Sequence, residues 1–137
     1  MNTPSISAVL IPEELRITHT AKLFGLHFPL QLEPFVYSMA DSMCEEYQGG
    51  YWDFFALSNG GFYMAPHSGT PFKVGCENGF DGALSPDAFG IVCCLYAYSH
   101  LSFGDGQFAL SCSEHYHLLR EYMLDHPEAG QVLRAID

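Results

Sequence analysis

Asp53 is the side chain in this sequence that is best placed for acid–base chemistry. It lies in the run YWDFFAL (residues 51–57), in which all six remaining residues are apolar or aromatic. A carboxylate in such a strand either pairs with a Tyr hydroxyl or a backbone N–H at the rim of the sheet, or has a shifted pKa and acts as a catalytic acid. We interpret Asp53 as a rim carboxylate. The alternative is a small hydrolase that uses Asp53 together with a nearby His or Tyr.

His115 and His117 are the other residues that could do chemistry, and they flank Tyr116. Two residues apart on a helix they point about 200° away from each other, so they cannot chelate one metal ion as an i, i+4 pair would. We therefore expect both to be surface histidines. The sequence also lacks the motifs G-x-S-x-G, Walker A, G-x-G-x-x-G and H-E-x-x-H. The residues indicate no enzyme class, and we predict no catalytic residue and no cofactor.

The cysteines do not form a pattern typical of a metal site or a disulfide framework. Their number, five, is odd, no two are spaced as C-x-x-C, and most lie in apolar stretches. This usage indicates small core residues in a reducing compartment, without a bound metal. The five are Cys44, Cys76, Cys93, Cys94 and Cys112.

The net charge of −11 arises from a shortage of basic residues, since 5 Lys and Arg accompany 16 Asp and Glu. Gripping several DNA phosphates requires several clustered cations, so we expect no direct DNA binding. A protein that imitates DNA needs a dense array of carboxylates. Here the only adjacent acids are Glu13-Glu14 and Glu45-Glu46.

The composition predicts a folded protein rather than a disordered or membrane-bound one. Of the 137 residues, 48% are hydrophobic, which is enough to build a core, and we predict one domain over residues 1–137. Residues 1–28 form an N-terminal segment whose fold the pattern leaves open. No Lys or Arg precedes the first apolar residues and no apolar run approaches the ~20 residues of a membrane span, so we expect neither a signal peptide nor a membrane anchor, and a cytoplasmic location.

Two Asn-Gly pairs organise the middle of the chain. Asn59-Gly60 lies between the aromatic runs 51–57 and 62–66, and Asn78-Gly79 lies between apolar runs at 72–77 and 80–84. Asn-Gly between such runs predicts a β-hairpin with a type I′ turn, in which both central residues have positive φ. We therefore predict an antiparallel β-meander of about four strands.

Helical spacing predicts three to four helices around this meander, one of them central and buried, which gives an α+β fold class. Ser85-Pro86-Asp87 has the N-cap hydroxyl, N1 proline and first-turn acid of a helix start, and the residues to Leu101 are apolar on nearly all sides. Gly90 in this buried helix predicts a close approach of the sheet. The other helices are predicted from Glu33 or Pro34 to Tyr47, ended by Gly49-Gly50; from after the break at Gly104-Asp105-Gly106 to about Asp125; and from Pro127 onward. At the N-terminus, Ser5–Ile11 fits a strand and Thr20–Gly25 fits one helical turn.

Two blocks of this sequence resemble the plasmid-borne antirestriction proteins of the ArdB/KlcA family. The first is YQGGYW (residues 47–52) with LSNGGFYMAP (residues 57–66), and the second is YHLLREYMLDHPEAGQVLRAID (residues 116–137). The resemblance extends from about Pro29 to Asp137. It implies a non-enzymatic protein that relieves type I restriction of incoming plasmid or phage DNA without mimicking DNA. The implied partner is a host type I restriction complex, affected directly or indirectly. The alternative is an acidic DNA mimic that occupies the DNA groove of the restriction enzyme.

Three acidic residues in the second block are candidates for contact with that partner. Asp125, Glu128 and Asp137 are exposed according to the helical pattern. They are either partner contacts or simply the solvated acidic end of a helix.

Overall fold

A three-stranded antiparallel sheet, closed along one edge by a buried helix, forms the centre of the protein. The structure, a computed structural model, describes residues 5–137. The strands are β1 (Ala8–Leu10), β2 (Trp52–Leu57), β3 (Phe62–Pro66), β4 (Phe72–Gly75) and β5 (Asp81–Leu84). The helices are α1 (Arg16–Phe24), α2 (Glu33–Met43), α3 (Pro86–Leu101), α4 (Gly106–Met123) and α5 (Ala129–Ile136). A 3-10 turn (Glu13–Leu15) precedes α1, and a π-helical turn (Phe28–Leu32) leads directly into α2. The fold class is α+β, as predicted.

Both predicted hairpins form, but they lie in two separate sheets rather than in one meander. The first sheet has the order β1-β2-β3, and β4 pairs only with β5. Helix α3 packs along the outer edge of β3, where the Tyr98 hydroxyl donates to the Phe62 carbonyl at 2.7 Å. The Cys94 thiol likewise lies 3.5 Å from both the N–H and the carbonyl oxygen of Met64. Helix α3 thus satisfies the backbone groups to which a further strand would pair.

The hairpin turns have the predicted glycines at positive φ but not the predicted turn type. In the first turn the Gly60 N–H donates to the Leu57 carbonyl and the Leu57 N–H donates to Gly61, each at 2.9 Å. Gly60 has φ 93°, and Asn59 is not at positive φ. This is a three-residue loop, a type I turn followed by a glycine bulge, rather than a type I′ turn. The turn at Gly79, with φ 95°, has the same hydrogen bonds.

Side-chain hydrogen bonds of the two asparagines explain this turn type. The Asn59 Oδ1 accepts from the Gly61 N–H at 3.0 Å, while its Nδ2 donates to the Leu118 carbonyl of α4 at 2.9 Å. Asn78 likewise donates to the Asp137 carbonyl, at 2.9 Å, at the end of α5. Each hairpin turn is therefore tied to a helix.

Helix α3 confirms the prediction of a central buried helix. The Ser85 hydroxyl accepts from the Ala88 N–H at 3.1 Å and caps the helix, and Pro86 is its first residue. A Cβ atom built on Gly90 would lie 2.4 Å from the Cβ of Ala65 in β3, which confirms the predicted close approach. Ten residues of α3 are buried.

The other helices differ from prediction mainly at their ends. Helix α2 begins at Glu33 as predicted but ends at Met43, four residues before Tyr47, because the backbone is extended at Cys44 (ψ 110°). Gly49 and Gly50 therefore belong to the loop before β2. Helix α1 is longer than the predicted single turn, and it ends at Gly25 (φ 62°) as predicted.

At the N-terminus β1 covers part of the predicted strand, and the buried side chains of strands and helices form one core cluster. Of the helices within residues 5–137, none combines the length and the apolar character needed to cross a bilayer.

Candidate functional site

Asp87, in the first turn of α3, is the centre of a hydrogen-bond network that joins the sheet to the C-terminal residues. Its Oδ1 accepts from the Tyr63 hydroxyl at 2.7 Å, and its Oδ2 lies 2.8 Å from the Nε2 of His126. Burial raises the pKa of Asp87, but the hydrogen bonds from His126 and Tyr63 and the attraction of His126 outweigh burial, so its pKa is lowered overall. Burial and the neighbouring Asp87 raise the pKa of Tyr63. The network therefore favours a charged Asp87 and a neutral Tyr63.

The position of the proton on His126 follows from its second nitrogen. The Glu128 N–H donates to Nδ1 of His126 at 3.0 Å, so that nitrogen uses its lone pair as an acceptor. The proton must then reside on Nε2, which donates it to Asp87. The side chain of His126 is only 9% exposed, and its two hydrogen bonds link α3 to the α4–α5 connection.

Glu128 is bonded inside the protein, contrary to the prediction that it is exposed. Its Oε1 accepts from the Ser85 N–H at 2.9 Å, and its Oε2 accepts from the Ser85 hydroxyl. Ser85 is the N-cap of α3, so the carboxylate lies at the positive end of the helix dipole. Asp125 and Asp137 are exposed, as predicted. Of the three candidate contacts, only these two are exposed, and Glu128 is half-buried.

Asp53 is a rim carboxylate, and its partner is a histidine rather than the Tyr or backbone group expected from the sequence. Its Oδ2 lies 2.8 Å from the Nδ1 of His67, and the two side chains are 23% and 70% exposed respectively. A shallow cleft of about 360 Å³ is lined by this pair together with Ser85 and Asp87.

This cleft contains the pair of Asp53 and His67 together with Asp87, yet the hydroxyls of its serines are hydrogen-bonded to other groups. A serine nucleophile requires a hydrogen bond to a general base. The Ser85 hydroxyl donates to Glu128, and the Ser68 hydroxyl lies 3.3 Å from that of Thr70. Among residues 5–137 the cleft therefore contains no hydrogen-bonded pair of serine and histidine. Nor does the described part of the chain contain a group of three or more His, Cys, Asp or Glu side chains suited to holding a metal ion.

His115 is buried, and the expectation that it lies on the surface is wrong. It is 5% exposed, with its ring 4.7 Å from that of Phe24 and 5.7 Å from that of Tyr98. Burial lowers its pKa, and the nearby Glu114 only partly opposes this. The sequence did hold a signal for this, because position 115 is one turn from Cys112 and from Leu119 on the buried face of α4. His117 is exposed, as expected.

No disulfide joins any two of the five cysteines within residues 5–137. Cys76 is half-buried and the other four are buried.

The sequence is similar to a known protein family and to several individual proteins. Residues 45–137 match the antirestriction protein family. The antirestriction protein KlcA of Escherichia coli is 37% identical over 142 residues, covering all of both chains. The uncharacterized protein YafX of Escherichia coli strain K12 is 42% identical over 132 residues, covering 93% of this chain and 85% of YafX.

A solved structure agrees with this chain along its whole length. The structure is that of the KlcA and ArdB proteins, which show a novel fold and antirestriction activity against type I DNA restriction systems in vivo but not in vitro. It superimposes with a TM-score of 0.91 at 39% identity and covers 100% of both chains.

Proposed function

The chain belongs to the antirestriction protein family, and we propose that it relieves type I restriction of incoming plasmid or phage DNA in cells, without catalysis and without mimicking DNA. The observation that carries this proposal is the correspondence of its whole fold with that of KlcA and ArdB. Because incoming DNA meets restriction enzymes in the cytoplasm, we infer that the protein acts there. Its partner is the host type I restriction complex, affected directly or indirectly.

The use of the acidic side chains supports a mechanism other than DNA mimicry. Four of the 16 acids are half-buried and accept hydrogen bonds or form ion pairs within the protein, which removes them from any array that could imitate phosphates. These four are Glu33, Asp53, Asp87 and Glu128. Each strand of B-DNA presents one phosphate about every 3.4 Å. Matching that spacing would require a regular row of free carboxylates.

The few cations speak against direct DNA binding. Of the 5 Lys and Arg residues, Arg16 lies against aromatic rings, and a duplex contact requires several cations on one face.

Two measurements together test the proposed function. In cells that carry a type I system, expression of the protein should raise the plating efficiency of unmodified phage. With purified restriction enzyme, the same protein should leave the affinity for the recognition sequence unchanged. Displacement of DNA at a stoichiometric amount of the protein would instead establish mimicry, and an unchanged plating efficiency would refute the antirestriction role.

We further propose that the restriction machinery contacts an acidic surface that consists of the exposed Asp125 and Asp137 together with the half-buried Glu128. Glu128 also accepts a hydrogen bond from Ser85, the N-cap of α3. A loss of relief after its replacement could therefore come either from a lost partner contact or from a less stable fold. The informative variant is therefore Asp125→Asn with Asp137→Asn, which should weaken relief without a change in melting temperature.

Glu114→Gln supplies a matched control, since Glu114 is exposed at a different position on α4. It should retain full relief. Full relief in the Asp125→Asn, Asp137→Asn double variant would exclude this surface.

A further inference from the structure

A cleft between α1 and the π-helical turn has apolar walls that reach solvent. Its volume is about 520 Å³, and Phe28 and Phe54, each 4% exposed, form its inner part. Ile17 and Leu26 line it while being 84% and 75% exposed. Single exposed apolar side chains are ordinary, but several around one cleft of this size are typical of a binding surface.

Arg16 places a positive charge in the wall of this cleft. Its guanidinium carbon lies 4.2 Å from the ring centre of Phe54 and 4.8 Å from that of Tyr51. Its Nη2 donates to the Trp52 carbonyl at 2.8 Å. These contacts fix the cation in place before any partner arrives.

This charge is not neutralised by a carboxylate of the described residues. Glu13 and Glu33 also line the cleft, yet within residues 5–137 neither forms an ion pair with Arg16. Glu33 instead accepts from the Tyr37 hydroxyl at 3.1 Å. A guanidinium has five N–H donors, and the described part of the chain provides an acceptor for one of them. The buried Nε has none there. An unpaired Arg in so acidic a chain marks a position that an anionic group would fill.

The chain geometry at the cleft is also unusual. The segment Phe28–Leu32 is π-helical, a rare conformation that is frequent at functional sites. It turns Phe28 inward while Leu30 remains 72% exposed. The π-helical segment is thus a further feature of this cleft that is typical of functional sites.

We propose that this cleft docks a segment of a protein partner in which apolar side chains flank one carboxylate, and that Arg16 receives that carboxylate. A carboxylate suits the planar fork of a guanidinium, and the aromatic rings shield the pair from water, which strengthens it. A nucleic acid would bring several phosphates, which the net charge of −11 and the two glutamates in the wall would repel, whereas a single carboxylate needs only the one cation that Arg16 supplies. Identifying the partner as a subunit of the restriction complex rests on the proposed function.

The test places a photo-cross-linking amino acid at Leu26 in the full chain, expressed in cells with a type I system. Leu110, 65% exposed on α4 and outside the cleft, is the matched control position. We expect a covalent adduct with a restriction subunit from position 26 and none from position 110. Arg16→Gln should reduce the yield of the adduct about tenfold.

The sign of the partner charge is tested at Ile17, where substitution leaves the core intact. Ile17→Asp should reduce the adduct and the relief of restriction about tenfold, while Ile17→Lys should reduce them less. Equal losses would overturn the assignment of a carboxylate.

The remaining outcomes separate this inference from the proposed function. An adduct with DNA or with a second copy of the chain, or no adduct at position 26 while restriction is still relieved, would overturn the docking site alone. A wild-type chain that fails to relieve restriction would refute the proposed function and this inference with it.

Discussion

Replacing Gly90 by Ala tests whether the contact between α3 and β3 organises the fold. The added Cβ would lie 2.4 Å from the Cβ of Ala65, 2.5 Å from its Cα and 2.5 Å from the carbonyl oxygen of Met64. Two of these three atoms belong to the backbone of β3, so no side-chain rotation can relieve the clash. Helix α3 must instead move away from the strand edge.

The expected change in stability combines one gain with two losses. Ala is preferred over Gly inside a helix by about 1 kcal/mol. Overpacking a dense core costs about 1–3 kcal/mol. Moving α3 also weakens the hydrogen bond from Tyr98 to Phe62, which contributes about 0.5–1.5 kcal/mol. The losses exceed the gain, so Gly90→Ala should destabilise the protein by about 2 kcal/mol, or roughly 6–10 °C in melting temperature.

Thermal unfolding followed by circular dichroism measures this change, and Gly130→Ala is the matched control. Gly130 is also helical, in α5, but a Cβ there meets no atom within 4 Å, so this variant should be more stable than the wild type. If both variants were stabilised, the close approach of α3 to β3 would be refuted.

Four further outcomes are expected. Gly60→Val, at φ 93°, should lower the unfolding free energy by about 1–3 kcal/mol, whereas Gly75→Val in β4 should not; equal midpoints in denaturant would contradict this. Folding lowers the pKa of Asp87, so its carboxylate stabilises the folded protein. This contribution to the free energy of unfolding is complete above the unfolded pKa of about 3.9 and is lost as pH falls through the pKa of the folded state. The stability gap between wild type and Asp87→Asn should therefore shrink below about pH 4, and a gap that does not vary with pH would oppose this. Thiol titration should find all five cysteines free in denaturant and Cys76 reacting first in the native protein. Asp53→Asn should leave relief of restriction intact, since we assign Asp53 no catalytic role. Loss of relief in a variant that still folds would instead support the alternative that the protein is a hydrolase using Asp53.

Local preferences let the sequence determine several elements of this fold. Asn-Gly between apolar or aromatic runs specified both hairpins, because glycine tolerates the positive φ that each turn needs. Ser85-Pro86 specified the start of α3, since a hydroxyl cap and a proline act on adjacent backbone groups. Gly90 indicated the close helix–sheet contact. The composition argued against DNA binding, but only the resemblance to known proteins introduced restriction as the setting.

The tertiary structure decided which distant groups meet. The sequence indicated only that Asp87 is an acid at the start of a helix. Its hydrogen-bond partner His126 lies 39 positions further along the chain. The split of the predicted meander likewise depends on Tyr98, 36 positions beyond Phe62. The cleft at Arg16 arises because α1 packs beside Phe54, a pairing that no local pattern encodes. Backbone preferences act between neighbours in sequence, whereas burial, pairing and exposed charge follow from how the whole core packs, and packing places residues together irrespective of their separation along the chain.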